Sequence, residues 1–470
     1  MSTCIAIDVG ASSGRLIAAT FDGKTIKLEE IHRFSNDPVH VGENYYWDIL
    51  RLFWEIKQGL RKASCFKVDS VAVDTWGVDY ALFDEGGQMI GIPIHYRDSR
   101  NQEVQQNFPL TDKELYSKTG IQHLDFNTIY QLYSDKTSLR KKVIDGASFM
   151  LMIPDIINFF LTGNKKAEYT NATTTSMLNP YTKKWEASLI KDLGLKNNIF
   201  MPLINPGELY GYITEDITSK YGLNSNIPVF AVGSHDTASA VAGIPFEGQA
   251  AAFLSLGTWA LIGKEINQPV ITEKSQQMGF SNEGGVLDTI RFLKNVSGTF
   301  LLQRLRKSYN NDISFSEIAN AAKNNKNQQF KIDPNHKSFI DPHDITQNIA
   351  EYCALHNQGT PTTLGDFAIA IYNGLASTLT EVLQSLEGLT GEETSYLHIV
   401  GGGVQDEFLC QHIANYTGKK VLAGPVESTI IGNVIMQLIA LGEIKSLESG
   451  RKIVRDSIHI KEYTPKNATN

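Results

Sequence analysis

Ser234-His235-Asp236-Thr237 follows the short apolar run 229–232 and opens the helix-forming run 238–242. A carboxylate at such a strand-to-helix junction points into a cleft in many α/β folds. The helix N-terminus beside it favours the ionised form. Asp236 can therefore act as a base that orients and deprotonates a hydroxyl; read alone, it serves equally well as an N-cap. His235, read alone, is a structural histidine. Asp8 ends the apolar run 4–7 and stands next to Gly10-Ala11-Ser12-Ser13-Gly14. Glycines let a backbone approach phosphate oxygens, and successive N–H groups with hydroxyls form an anion nest. Asp8 is then placed to hold Mg²⁺ through water. Gly257-Thr258 is a second turn of this kind. Gly401-Gly402-Gly403 follows the apolar run 397–400 and precedes a helical run. It removes side chains where a flat ring or a ribose could lie against the backbone, at a helix N-terminus that favours anions. Taken singly, these are also common hairpin turns and a tight connection. Taken in order, they fit phosphoryl transfer to a hydroxyl, which needs alignment of the acceptor more than a strong base.

Other chemistries find less support. Gly23-Lys24-Thr25 is the nearest approach to a Walker A loop, but Ala18 stands where its first glycine belongs. No protein-kinase signature is present. The eleven histidines contain no HExxH or other metal-spaced cluster. Thr75-Trp76-Gly77-Val78-Asp79 and Tyr96-Arg97-Asp98-Ser99-Arg100 mix rings, carboxylates and guanidinium groups. A carbohydrate needs that mixture: an apolar face and directional hydrogen bonds. A core tryptophan and a surface ion pair are the plainer readings of the same residues.

The elements that must position these groups form a repeating pattern. Runs 4–7 and 15–19 read as strands around the first turn, and 70–74 as a further strand. The stretch 113–190 is mostly helical, with Pro154 where a helix starts. Runs 251–256 and 259–262 flank the second turn as 4–7 and 15–19 flank the first. Each half thus begins strand, Gly/Ser/Thr turn, strand, as expected of an internal duplication into two α/β domains facing a cleft. The boundary falls at 243–248, giving domains 1–243 and 244–470. Closure of the two lobes about that hinge would exclude water from the reaction. A last apolar helix covers 430–441, and the tail from Tyr463 is expected to fray.

At 470 residues the chain is too long for one core. Net charge is −8 with no basic stripe, which argues against nucleic acid and anionic membranes as partners. Cys4, Cys65, Cys353 and Cys410 are far apart and read as buried reduced thiols. No run is long enough to span a membrane, and the first residues carry no signal-peptide pattern; a cytoplasmic protein, monomer or homodimer, is expected.

The sequence resembles the FGGY carbohydrate kinases of the actin-like ATPase superfamily. The matching stretches are AIDVGASSGR (6–15), VDTWGVDYALFD (73–84), YRDSR (96–100), EYTNATTTSMLN (168–179), SHDTASAV (234–241), LSLGTWALIG (254–263), SNEGG (281–285), LKNVSG (293–298), LHIVGGG (397–403) and AGPVEST (423–429). The resemblance implies two actin-like, RNase H-like α/β ATPase domains flanking a deep catalytic cleft. It implies ATP with Mg²⁺, the first phosphate loop at Ala11, Ser12, Ser13, Gly14 and Arg15, and the second at Thr258. Gln303 and Gly401 would contact the nucleotide. Gly77, His235, Asp236, Thr237 and Asn295 would contact the sugar, with Asp236 the proton acceptor. ASSGR, TWGVD, YRDSR and NATTT resemble the branch that phosphorylates O1 of L-rhamnulose in rhamnose catabolism. L-Fuculose or xylulose are alternative acceptors, and a non-catalytic actin-like nucleotide switch is the rival function.

Overall fold

The structure, a computed structural model, describes residues 1–101, 104–138, 140–248, 250–339 and 344–466. Its first strand, β1 (Ser2–Val9), is buried along almost its whole length. A strand covered on both faces reads as a continuous apolar run rather than an alternating one, and that is how 4–7 reads. β1 pairs antiparallel with β2 (Ser13–Phe21), which pairs antiparallel with β3 (Ile26–Ser35). On its other side β1 pairs parallel with β4 (Ser70–Thr75). With β5 (Leu209–Tyr212) and β6 (Pro228–Phe230) the sheet runs β5-β6-β4-β1-β2-β3.

The chain forms two compact units. The first comprises Met1–Pro245, Glu265–Phe292 and Ser428–Ser457. Its helices include α1 (Ile49–Ala63), α2 (Ile153–Thr162), α3 (Tyr169–Thr173), α4 (Asp236–Ala242) and α5 (Ser428–Ala440). Asp48 caps α1 by accepting from the Arg51 amide. Leu52, Ile56 and Leu60 on one face of α1 join the core with Ile5, Ile7, Val71 and Val229, the spacing of an amphipathic helix laid on a sheet. Pro154 sits in the first turn of α2, as its sequence position predicts.

The second unit comprises Phe246–Lys264, Leu293–Glu427 and Ile458–Asn470. There β7 (Ala251–Leu256) pairs antiparallel with β8 (Trp259–Ile266) and parallel with β9 (Tyr396–Val400). β10 (Lys420–Ala423) and β11 (Lys461–Tyr463) follow in the order β8-β7-β9-β10-β11. The β7/β8 hairpin with parallel β9 repeats the β1/β2 hairpin with parallel β4, which is the expected duplication.

Some expectations are corrected. Tyr463 is a buried residue of β11, because its strand pairs with β10; the frayed tail cannot begin there, and 467–470 lie outside the described residues. The 113–190 stretch is interrupted by strand Phe149–Met152. Cys4, Cys353 and Cys410 are buried free thiols, but Cys65 is exposed. No helix of the described residues is long and apolar enough to cross a membrane.

Candidate active site

β1 and β4 carry their carboxylates to the same level. Their parallel register places Asp8 beside Asp74. At the last residue of β4, the Thr75 amide donates to the Ser234 carbonyl at 2.8 Å and Thr75 bridges to His235. That bridge brings the Ser234–Thr237 turn to the same end of the strands. Asp236 is the first residue of α4 and His235 holds the cap position, without a side-chain cap bond. The N-cap alternative for Asp236 is therefore not what forms. Its Oδ1 instead accepts from the Thr237 amide at 2.7 Å and hydroxyl at 3.2 Å.

The electrostatics follow from this crowding. Asp236 keeps 33% of its side chain open to solvent. Its carboxyl lies above the ordinary value: partial withdrawal from water raises it, His235 and the Thr237 donors lower it, and Asp8 raises it. The helix terminus alone would predict the opposite direction. Asp74 is fully buried and pushed well above the usual carboxylate range, by burial first and then by Asp8 and Asp236, against the donor Asn433. Asn433 Nδ2, from α5, donates to Asp74 Oδ2 at 2.5 Å. Asp8 is paired with Arg15 at 2.9 Å, across the β1/β2 hairpin.

No group of three or more His, Cys, Asp or Glu side chains among the described residues could hold a metal ion. The described residues thus offer no protein cage. The part-exposed Asp8 suits a cation that keeps most of its water and is shared with phosphate, the habit of Mg²⁺.

The first loop is anchored by Asn36, whose amide donates to Ser12 O and whose side chain donates to Gly10 O. Ala11 and Ser12 are left exposed and Ser13 half-buried. Gly14 has a packing reason for being glycine: a Cβ there would lie 2.2 Å from the Phe34 ring.

Gly77 packs against Thr174, which a Cβ would meet at 2.9 Å. The Thr174 hydroxyl accepts from the Val78 amide, so the TWGVD and NATTT segments meet. Buried Glu168 joins them to the Asp236 turn, accepting from the Thr170 and Asn171 amides and from the Ser234 hydroxyl. Asp79 accepts from two indoles, Trp47 at 2.6 Å and Trp76 at 3.0 Å, and from Gln131. Trp47 also stacks on His95, which stacks on Tyr96. Burial pushes Asp79 up to about 6, against those three donors. In the YRDSR segment Asp98 accepts from the Tyr45 amide and Arg100 pairs with Asp135; these two residues tie the segment to strand Asn44–Tyr46 and to helix Thr128–Thr137.

The second unit gathers its own set. Gln303 Nε2 donates to the Thr258 hydroxyl at 3.3 Å. The Gly257 carbonyl accepts from the Thr299 amide and the Thr258 carbonyl from the Gly298 amide. Gly401 takes φ +86°, and a Cβ on it would stand 3.0 Å from the Leu256 carbonyl. The triple glycine thus abuts the end of β7, one residue before the Gly257-Thr258 turn. Asn295 is half-buried on strand Ile290–Ser297. Asp8, Ala11 to Arg15, Gly77 and His235 to Thr237 thus belong to the first unit, and Thr258, Asn295, Gln303 and Gly401 to the second.

Sequence reasoning gave no role to Asp74, Asn433, Glu283 or Arg291. Arg291 lies between Ile290 and Phe292 in an apolar strand, a signal that a buried partner exists.

Comparison with known proteins adds independent findings. The N-terminal domain of the FGGY family of carbohydrate kinases matches residues 3–243, and its C-terminal domain matches 252–441. The chain is 37% identical over 470 residues to the Rhamnulokinase of Oceanobacillus iheyensis, covering 98% of both chains. It is 38% identical over 466 residues to the Rhamnulokinase of Bacillus subtilis, covering 98% of this chain and 95% of the other. Among solved structures, a xylulose kinase from Lactobacillus acidophilus superposes with a TM-score of 0.84 at 17% identity, over 99% of this chain and 94% of that one. A Plasmodium falciparum glycerol kinase with ADP does so at 0.80 and 17%, over 99% and 95%. These structures carry the expected two-domain fold.

Proposed function

Because the chain belongs to the FGGY family of carbohydrate kinases, we propose that it transfers the γ-phosphoryl group of ATP to O1 of L-rhamnulose, yielding L-rhamnulose 1-phosphate and ADP. The acceptor is supported by relatives named Rhamnulokinase that align over nearly the full chain. The observation that carries the chemistry is the Thr75–His235 bridge, which brings the Asp236 turn to the end of the strand whose Asp74 is the register partner of Asp8.

In this reading Asp236 accepts the O1 proton as O1 bonds to the γ-phosphorus and the bond to the β-phosphate oxygen breaks. Its raised carboxyl is a better proton acceptor than an ordinary aspartate, and Thr237 fixes which oxygen faces the hydroxyl. Gly77, His235, Thr237 and Asn295 hold the sugar. Ala11, Ser12, Ser13, Gly14, Arg15 and Thr258 hold phosphates, and Gln303 and Gly401 contact the nucleotide. Mg²⁺, held by Asp8 through water, would supply positive charge to the phosphates. The setting is rhamnose catabolism in the cytoplasm.

The test is ADP release with ATP and Mg²⁺ on a panel of L-rhamnulose, L-fuculose, xylulose, ribulose and glycerol. L-Rhamnulose should give the highest kcat/KM. Preference for another ketose would move the acceptor assignment, and no sugar-stimulated turnover at all would overturn the kinase reading.

A further inference from the structure

Behind His235 lies a charged cluster that no proposed role uses. Arg291 is fully buried, and Glu283 beside it is nearly so. Arg291 Nε donates to the Gly284 carbonyl at 2.9 Å, which locks the plane of the guanidinium. Its Nη2 lies 3.2 Å from Nδ1 of His235 and 3.1 Å from Glu283 Oε2. Glu283 Oε2 is also 3.3 Å from that Nδ1. On the other side of the ring, Nε2 lies 3.5 Å from Asp236 Oδ1.

Hydrogen-bond chemistry distinguishes the two ring nitrogens. A guanidinium only donates, so Nδ1 can bond Arg291 only through its lone pair. The Arg291–His235 contact has hydrogen-bond geometry, whereas Glu283 Oε2 has no aligned donor. With Nδ1 accepting, a neutral ring carries its proton on Nε2. The opposite tautomer would set two N–H groups against each other at 3.2 Å and turn an Nε2 lone pair toward the Asp236 carboxylate.

We propose that Arg291 is a positioning residue for phosphoryl transfer, donating to His235 Nδ1 and so fixing the imidazole as the Nε2–H tautomer that presents a donor to Asp236 and to the acceptor sugar. Glu283 balances the buried guanidinium. Burial lowers Arg291 from its ordinary value while Glu283 and Asp236 work against that, and Arg291 in turn holds Glu283 below the usual carboxylate range despite burial. The arrangement parallels the way a hydrogen bond at one ring nitrogen sets the chemistry available at the other. Its catalytic consequence rests on Asp236 being the base; the tautomer does not.

The test uses the full chain labelled with ¹⁵N-histidine, with His235 identified by the signals lost in His235→Asn. Long-range ¹H–¹⁵N correlation should show a protonated Nε2 and a bare Nδ1 at His235. Arg291→Gln should remove that single-tautomer pattern and lower kcat/KM for the ketose by about 100-fold, the scale of a misplaced reacting group, while KM for ATP changes by less than about two-fold. A wild-type His235 protonated on Nδ1 would overturn the proposal. So would an Arg291→Gln protein that keeps the Nε2–H tautomer and full ketose kcat/KM. If Arg291→Gln does not fold, the wild-type spectrum alone decides. Absence of ketose turnover in the wild type would count against the kinase reading, and the spectrum would still judge the tautomer.

Discussion

Asp8 and Asp74 are register partners on two parallel strands, yet they stand in different surroundings. Asp8 is paired with Arg15 and part-exposed. Asp74 is buried, held by Asn433 and raised well above the usual range. Two adjacent carboxylates cannot both ionise cheaply, and burial with the neighbouring Asp8 raises the Asp74 carboxyl.

This predicts a pH signature of Asp74. The native state retains the Asp74 proton where the unfolded chain has lost it. By linkage, stability then falls as pH rises above the ordinary aspartate value near 3.8. Asp74→Asn keeps the shape and can still accept from Asn433. The variant should exceed the parent in stability at pH 7, with the gap closing toward pH 4. Urea unfolding at pH 4, 5.5 and 7 measures it; a variant less stable than the parent at pH 7 would contradict the assignment.

Asp79 gives a second signature with an optical reporter. Its pKa is raised from 3.8 to about 6. The native state therefore binds the extra proton between those values, and stability should drop by about 3 kcal/mol in all as pH rises from below 4 to above 6, then level off. Trp47 and Trp76 both donate to this carboxylate. Intrinsic fluorescence should titrate with a midpoint near 6, and Asp79→Asn should abolish that transition. A flat fluorescence profile from pH 4 to 8 would show that Asp79 is not the titrating group.

What could be read from the sequence was local. Asp8, the 10–14 turn, Gly257-Thr258 and the 401–403 glycines stand next to strands whose apolar runs mark them. Asp236 was legible as a junction carboxylate but not as a base rather than a cap, because the cap position is settled by backbone angles at His235. Gln303 and Asn295 came from family resemblance. Arg291 and Asn433 were out of reach, since their partners His235 and Asp74 lie 56 and 359 residues away. Asn433 and Gln437 did leave a trace. They are two amides one turn apart in an otherwise apolar helix, and in the fold they bond each other, Asp74 and Ser70.

Helix packing around the site makes a contrasting pair of predictions. In the first unit, a Cβ on Gly432 of α5 would lie 1.8 Å from the Ser239 carbonyl of α4. Gly432→Ala must push apart the helix that Asp236 begins, at a cost of about 1–3 kcal/mol or more. Gly388 lies within helix Leu364–Thr390 of the second unit, with nothing near an added Cβ. Gly388→Ala should instead stabilise by about 0.5–1 kcal/mol through lower chain entropy. Calorimetry should show a lower Tm for the first variant and an unchanged or higher Tm for the second.

Asp236 itself yields the sharpest kinetic expectation. A base must be deprotonated to act, and Asp236 lies above the ordinary aspartate value. The acid limb of kcat/KM for the ketose should then fall at a pH above 3.8, with activity lost as pH drops through the raised value. Asp236→Asn removes the proton acceptor and retains the hydrogen bonds that Oδ1 accepts from Thr237. Ketose phosphorylation should fall by at least about 100-fold, with affinity for ATP within about two-fold. Steady-state kinetics with titration calorimetry of ATP separates the two effects. Full activity in Asp236→Asn would remove Asp236 from the reaction.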